Sequence, residues 1–231
     1  LAAIVGVSMA LMPLLMILLD RMLRQQRERH PAPAQEPHYD AGDPEQRRPQ
    51  VLVAGVGRFG QIVARVLAAQ GVPYVALDRD PARVEDVRRS GGRIFYGDPT
   101  RSDLLRAAGA EHVKVFVICT DEPEITLQAV RLIRRQYPQA RILARARDRH
   151  HAWRLMDLGT EPLREMLGSS LEAATRVLCE LGVPEDLASE RVRRFRAHDE
   201  ALLQEQYLVY DDEDAIKRST RQARAELGRL F

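Results

Sequence analysis

The chain has 231 residues, of which 45% are hydrophobic and 29% are charged, and its formal net charge is only +2. This composition is ordinary for one folded domain with additional segments. Because 33 acidic residues nearly balance 35 basic ones, the charge gives no support for nucleic-acid binding. Cys119 and Cys179 have neither the spacing of a disulfide framework nor that of a metal site, which favours a reducing compartment and predicts no metal.

Residues 1–19 carry no charged side chain, and Asp20 and Arg21 open a mostly basic stretch directly after them. As a helix, this segment would be about 28 Å long, close to the thickness of the hydrocarbon core of a bilayer. The basic residues indicate the cytoplasmic side. We therefore expect residues 1–28 to end a membrane domain, with the chain as the C-terminal fragment of a longer protein. A signal peptide is disfavoured because a basic start and a small-residue cleavage site are missing. A buried soluble helix is the alternative.

Residues 29–49 contain five prolines and almost no apolar side chain. Such a segment buries too little surface to offset the entropy of ordering, so we predict a disordered linker.

A glycine-rich turn follows the linker, in the sequence QVLVAGVGRFG of residues 50–60. Gly55, Gly57 and Gly60 have the G-x-G-x-x-G spacing, between a predicted strand and a predicted helix. In a dinucleotide-binding turn, the first glycine permits the tight bend, the second lets the backbone approach a pyrophosphate, and the third lets the helix pack closely. The helix start also favours bound phosphate. Asp78 ends the next predicted strand and is suited to bind a ribose hydroxyl. An empty glycine turn in an α/β domain is the alternative.

Short apolar segments alternate with helical ones from residue 50 onward, which predicts a Rossmann-like α/β fold with a parallel sheet and helices on both faces. The predicted strands are residues 51–55, 74–78, 93–96, 114–119 and 141–145. Asp80 and Pro81 are typical of a helix start, and Thr100 with Asp103 resembles a second one.

Ligands of such sheets bind at the carboxyl ends of the strands. The residues predicted to bind nucleotide are Gly55, Gly57, Arg58, Phe59, Gly60, Asp78, Arg79, Asp98, Thr120 and Asp121. For Asp98 and Asp121, a role as helix caps is an equally good interpretation.

The remaining sequence offers no catalytic constellation. A second catalytic domain does not follow the fifth strand, and no Ser-x-x-x-Tyr-x-x-x-Lys pattern occurs. His150 and His151 are predicted to lie at the surface of an arginine-rich turn. We therefore predict a sensor rather than an enzyme.

Five motifs distinguish residues 50–227: GVGRFGQ (55–61), LDRDP (77–81), YGDPTRSDLLRAAG (96–109), CTDEPE (119–124) and ARARD (144–148). They resemble the cytosolic regulatory domain, called KTN, RCK or TrkA-N, of Kef-type glutathione-regulated potassium efflux antiporters in the monovalent cation:proton antiporter-2 family. The resemblance implies a nucleotide-binding domain over residues 50–165 and a helical dimerisation and regulatory arm over residues 166–231. It places the domain at the cytoplasmic side of the bacterial inner membrane.

The resemblance also implies ligands and partners. NAD(H) or AMP would bind the glycine turn as a non-catalytic ligand, and two domains would form a homodimer. Glutathione would bind Arg65, Arg164 and Asp199 and keep the antiporter closed, whereas its electrophile adducts would open it. The chain's own membrane transport domain and a soluble flavoprotein of the quinone oxidoreductase type are the implied partners.

Two positions depart from the family pattern as we align it: Asp199 stands where an amide is expected, and Ser90 where an aromatic is expected. An apolar stripe, formed by Leu171, Ala174, Leu178 and Leu181, predicts a helix that packs on the domain or on its twin. A nicotinamide-dependent oxidoreductase and a gating subunit of a potassium channel or Trk-type uptake system are the alternative functions.

Overall fold

The structure is a computed structural model that describes residues 48–230. The predicted membrane helix over residues 1–28 and nearly all of the predicted linker lie outside the described residues. Within the described part of the chain, none of the helices combines the length and the apolar character that crossing a bilayer requires.

A parallel sheet forms the centre of the described part, and all six of its strands run in the same direction. Its spatial order is β3-β2-β1-β4-β5-β6. In chain order the strands are β1 (Val51–Ala54), β2 (Tyr74–Asp78), β3 (Ile94–Tyr96), β4 (Val115–Ile118), β5 (Arg141–Ala146) and β6 (Glu161–Arg164). The strand order changes direction between β1 and β4. The connections that follow these two strands therefore lead to opposite faces of the sheet and leave between them the crevice in which ligands of such sheets bind. The predicted Rossmann-like sheet is confirmed.

Helices connect the strands and continue beyond them. They are α1 (Gly60–Ala69), α2 (Pro81–Arg89), α3 (Ser102–Ala107), α4 (Pro123–Gln136), α5 (Arg149–Met156), α6 (Leu167–Glu180), α7 (Glu185–Tyr207) and α8 (Glu213–Leu230), with a short 3₁₀ turn at Ala110–His112.

The two faces of the sheet are both buried, because successive side chains of a strand point to opposite sides. In β1, Leu52 and Ala54 belong to the larger core, which contains residues of α3, α4 and α5. Val51 and Val53 belong to a smaller cluster that packs against α1. This division places helices on both faces, as predicted. Leu203 of α7 is buried in the larger core, so the helical arm is anchored to the sheet domain.

The sixth strand, β6, was not predicted. It pairs with β5 from Leu143 opposite Glu161 to Ala146 opposite Arg164. Its sequence, EPLR, contains one leucine and a proline, so it lacks the apolar run that identified the other strands. Proline is tolerated here because β6 is an edge strand and donates few ladder bonds.

Two predicted helix starts have different outcomes. Asp80 caps α2 by accepting a hydrogen bond from the Ala82 amide, as predicted. The prediction that Thr100 caps the following helix is wrong. The N-cap position of α3 is Arg101, and the Thr100 hydroxyl donates instead to Asp98 Oδ1 at 2.7 Å.

The prediction of two surface histidines is half right. His150 is exposed, but His151 is buried beneath the start of α5, where its Nδ1 accepts a hydrogen bond from the Arg147 amide. Burial lowers the pKa of His151, because the charged imidazolium is poorly solvated there.

Replacing Gly60 with alanine should destabilise the fold by at least about 2 kcal/mol. A Cβ atom at this position would lie 1.9 Å from the carbonyl oxygen of Gly55, so the backbone must shift. The matched control is Gly168→Ala in α6, where no described heavy atom lies within 4 Å of the added carbon. That change should be neutral or stabilise by up to about 1 kcal/mol. Urea unfolding measures the stability of both variants. Equal unfolding midpoints would show that Gly60 does not pack closely against the carbonyl of Gly55.

Candidate functional site

The glycine turn between β1 and α1 is held by contacts that only glycine permits. Gly55 has a φ of 91°, and a Cβ on it would lie 2.9 Å from the carbonyl carbon of Cys119. Gly60 lies against the carbonyl of Gly55, as described above. The turn therefore packs closely against the end of β4 on one side and against the start of α1 on the other. These two close contacts determine its backbone path.

Asp78 fixes the turn from the neighbouring strand. Its Oδ2 accepts a hydrogen bond of 2.6 Å from the Val56 amide, and its Oδ1 accepts one from the Asp80 amide at 2.8 Å. Only 5% of the residue is exposed. Each carboxylate oxygen has a second lone pair, so Asp78 retains the capacity to accept a bond from a ribose hydroxyl.

Gly57 lies at the open side of the turn, facing charged side chains. A Cβ on it would lie 3.4 Å from Arg83 Nη1 and 3.8 Å from Asp121 Oδ2. Arg83 also approaches Asp80 at 3.3 Å and Asp78 at 3.8 Å. Arg83 was missing from the predicted site, although its position in the first turn of the helix after Asp78 is a usable signal. Guanidinium groups suit phosphate oxygens.

The start of α1 also lies on this side of the turn. Phe59 occupies the N-cap position and provides no side-chain hydrogen bond to the first turn of the helix. The ring of Phe59 packs instead against the smaller core cluster. Arg58, beside it, is exposed. An uncapped helix start next to a cation favours an anionic group.

The third strand end contributes Asp98, which contacts Arg79 and Thr100. Burial by itself would raise the pKa of Asp98, but the hydrogen bonds from Thr100 and the charge of Arg79 outweigh it and lower that pKa. Arg79 also binds Glu122 at 2.8 Å, so it links the strand ends of β3 and β4.

The fourth strand end contributes Thr120 and Asp121. The Thr120 hydroxyl shares a 2.7 Å hydrogen bond with the Thr126 hydroxyl of α4, which gives it a role at the helix start. Asp121 is bound by Arg145 at 2.6 Å, and this bond is the main reason that its pKa is lowered. The charges of Arg83 and Arg58 lower it further.

Arg145 is a central residue that was not among the predicted site residues. It extends from β5, has only 9% of its side chain exposed, and binds Asp121 and Glu165 at 2.6 Å each. Its Nη1 also donates to the carbonyl oxygen of Cys119 at 3.3 Å. The available signal was its place between two alanines in the strand sequence RILARA, where an arginine within an apolar stretch predicts a buried ion pair rather than a solvated side chain.

The predicted glutathione residues fall into two groups. Arg164 ends β6, and its Nη1 binds Oδ2 of Asp199 in α7. Oδ1 of the same carboxylate is bound by Arg149, the first residue of α5. Arg65 is exposed on α1 and forms no ion pair among the described residues. The structure thus joins Arg164 with Asp199 and adds Arg149, which was not predicted.

Comparison with known proteins covers nearly the whole described part. Residues 51–163 match the TrkA-N domain family, and residues 169–231 match the C-terminal domain of the potassium efflux system KefB. The glutathione-regulated potassium-efflux system protein KefC of Cronobacter sakazakii is 38% identical over 93% of this chain and 33% of its own length. The corresponding protein of Escherichia coli is 36% identical over 91% of this chain and 33% of its own length. The chain therefore spans about a third of the length of these curated relatives.

Two solved structures also match this chain. The Kef C-terminal domain of Shewanella denitrificans in its AMP-bound form is 39% identical, with a TM-score of 0.64, and the match covers 69% of this chain and 98% of that one. The TrkA-N domain of the inner membrane protein ybaL from Escherichia coli is 23% identical, with a TM-score of 0.50, and covers 57% of this chain and 95% of its own. That second likeness concerns the fold alone.

Replacing Arg145 with methionine should destabilise the protein by about 2–4 kcal/mol, because it leaves two carboxylates without their buried partner. The control is Arg141→Met on the same strand, where the arginine pairs with Glu161 but has 70% of its side chain exposed. An exposed pair contributes little, so that variant should lose less than about 1 kcal/mol. Urea unfolding at neutral pH compares the free energies of unfolding of the two variants. Similar losses of stability would show that the buried ion pairs of Arg145 contribute no more than an exposed pair.

Proposed function

Because the chain belongs to the Kef family of potassium-efflux C-terminal domains, we propose that it is the cytoplasmic regulatory part of a glutathione-gated potassium:proton antiporter at the bacterial inner membrane. In this proposal residues 1–28 end the transport domain and residues 29–49 form the linker. Residues 50–165 bind nucleotide, and residues 166–231 form the dimerisation and regulatory arm. Support comes from the KefC relatives and from the two consecutive family matches.

The nucleotide is AMP or NAD(H), bound at the glycine turn. The observation that carries this assignment is the hydrogen bond from the Val56 amide to Asp78. It fixes the glycine turn beside the Asp78 carboxylate, which is suited to bind a ribose hydroxyl. Arg58 and Arg83 supply positive charge for the phosphate. Asp78 would repel a 2′-phosphate, which favours NAD(H) over NADP(H). The AMP-bound Kef domain of Shewanella denitrificans supports the choice of ligand.

The bound nucleotide acts as a regulatory ligand rather than a reactant. Burial raises the pKa of the Cys119 thiol to about 12, so it stays protonated and is a poor nucleophile. Asp98 and Asp121 have lowered pKa values, so near neutral pH they remain carboxylates and are poor proton donors. The side chains beside the turn therefore suit binding better than catalysis.

Glutathione is the proposed effector, with Arg65, Arg164 and Asp199 as its contacts. Glutathione has two carboxylates and one ammonium, and arginine forks bind carboxylates in bidentate geometry. Arg164 has 14% of its side chain exposed, which makes it a partly desolvated cation beside a carboxylate. Interactions with such groups are stronger than those at the open surface.

A homodimer is the proposed assembly, together with the chain's own transport domain and a soluble flavoprotein. Exposed apolar side chains on two helices support the dimer: Ile62 and Val66 on α1, and Val177 on α6, with Leu181 just after α6. Each is more than half exposed, and apolar patches of this kind are typical of association surfaces. A two-fold axis would let the same patch cover itself on a second copy.

Gly57→Val should weaken AMP and NADH binding by more than about a hundredfold, or about 2.7 kcal/mol. Valine would occupy the space that a pyrophosphate needs. The fold should survive because its Cβ approaches only side-chain ends, those of Arg83 at 3.4 Å and Asp121 at 3.8 Å. The control is Gly228→Val in α8, where the added carbon meets no described heavy atom within 4 Å. Calorimetric titration measures both, and unchanged affinity in Gly57→Val would remove the turn as the site.

Arg164→Ala should weaken glutathione binding by about ten- to a hundredfold, since one charge-assisted hydrogen bond contributes about 1.5–3 kcal/mol. Nucleotide affinity should change little, because the glycine turn is a separate set of contacts. Arg141→Ala, at an exposed ion pair on the neighbouring strand, is the control.

In cells that carry the full-length antiporter, Arg164→Ala should also permit potassium efflux at glutathione concentrations that keep the parent closed, because a ligand shifts an equilibrium only by its differential affinity for the two states. Calorimetry paired with potassium efflux tests this. Equal glutathione affinity in the variant and parent would contradict the assignment.

A further inference from the structure

We infer that Asp199 is a built-in carboxylate that occupies the fork of Arg149 and Arg164, so that an anionic ligand enters this site only by displacing it. The inference rests on the proposed ligand site at Arg164 and adds to it a mechanism of selection. Asp199 thereby competes with a ligand carboxylate for the two arginines, and it can contact the ligand only after it has been displaced from them.

Three separate elements converge on this carboxylate. Arg149 begins α5, Arg164 ends β6, and Asp199 extends from the middle of α7. Each guanidinium takes one oxygen of Asp199, and the carboxylate side chain is 13% exposed. Two arginines around one carboxylate form the geometry with which proteins bind free carboxylates. The internal side chain thus stands where a ligand carboxylate would bind.

The fork carries more positive charge and more donors than Asp199 satisfies. Two guanidinium groups face a single carboxylate, which leaves an excess of one positive charge. Arg164 Nη2 is buried and has no hydrogen-bond partner among the described residues. The adjacent acid, Glu165, is already bound to Arg145. Because buried donors are nearly always paired, this nitrogen indicates an acceptor that the described residues do not supply.

Displacement of Asp199 would also act on the helical arm. Arg149 Nη1 donates to Gln206 Oε1 on α7, and Gln206 Nε2 donates to Thr220 on α8. The two arginines therefore tie α7 to β6 and to the start of α5. A ligand that replaces Asp199 removes the two ion pairs to α7 and leaves the bond from Arg149 to Gln206 in place. Ligand entry would therefore weaken the attachment of the arm.

The test uses Asp199→Asn, which keeps the size of the side chain but removes its charge. Glutathione and succinate, a simple dicarboxylate probe, are titrated into the parent and the variant by calorimetry at low ionic strength. Without the internal competitor, both probes should bind at least about tenfold tighter. Asp103→Asn is the control, because Asp103 also pairs with an arginine but lies exposed on α3. Its affinities should equal those of the parent.

Asp199→Ser is the second variant, because the smaller side chain leaves room for a ligand carboxylate. Thermal unfolding checks that each variant is folded. If succinate binds the Asp199 variants more tightly than the parent and glutathione binds neither parent nor variants, Asp199 is a competing carboxylate. Glutathione is then not the effector. If glutathione binds the parent and binds the variants no more tightly, the inference is overturned and the proposed function is left intact. Folded variants that bind neither probe would also overturn it. So would the unfolding of both variants, because Asp199 would then be a structural tie only.

Discussion

The close approach of the glycine turn to its neighbours is the constraint on which the site depends. Only a hydrogen fits at Gly60 against the carbonyl of Gly55, and only a hydrogen fits at Gly55 against the end of β4. These contacts bring α1 against the sheet and present the Val56 amide to Asp78. Once the turn has this path, Gly57 faces Arg83 and Asp121, and the strand ends surround one crevice. The shape of the proposed phosphate site is therefore determined mainly by packing, and the hydrogen bond from Val56 to Asp78 fixes the remaining freedom of the turn.

The second site is connected to the first by ion pairs across the carboxyl end of the sheet. Asp121 borders the glycine turn and is held by Arg145, whose other nitrogen holds Glu165. The preceding residue, Arg164, is bound to Asp199. The residues proposed to bind the nucleotide and those proposed to bind glutathione are thus linked through adjacent residues, Arg164 at the end of β6 and Glu165 after it. For a regulatory domain, this arrangement gives two ligands a shared structural element, whose position each can bias.

The glycine turn, the first five strands and the place of Asp78 at a strand end could be predicted from the sequence because their causes are local. Glycine spacing, apolar runs and a strand-ending carboxylate each show in a few consecutive residues. β6 could not be predicted because its pairing with β5 depends on an edge position that four consecutive residues do not encode. Arg145 was missed because its burial depends on Asp121 and Glu165, which are distant in the sequence. Likewise, the pairing of Arg164 with Asp199 requires α7 to return to the sheet, which periodicity alone does not predict.

In the proposed site, the glycine turn holds the phosphate of a nucleotide while Asp78 holds its ribose. A crystal structure of the protein grown with AMP tests this most directly. We predict density for one nucleotide per chain, with the phosphate within hydrogen-bond distance of the backbone amides of residues 57–60 or of Arg83, and a ribose hydroxyl on Asp78. Density for AMP elsewhere, with the turn unoccupied at saturating ligand, would show that the glycine turn is not the nucleotide site.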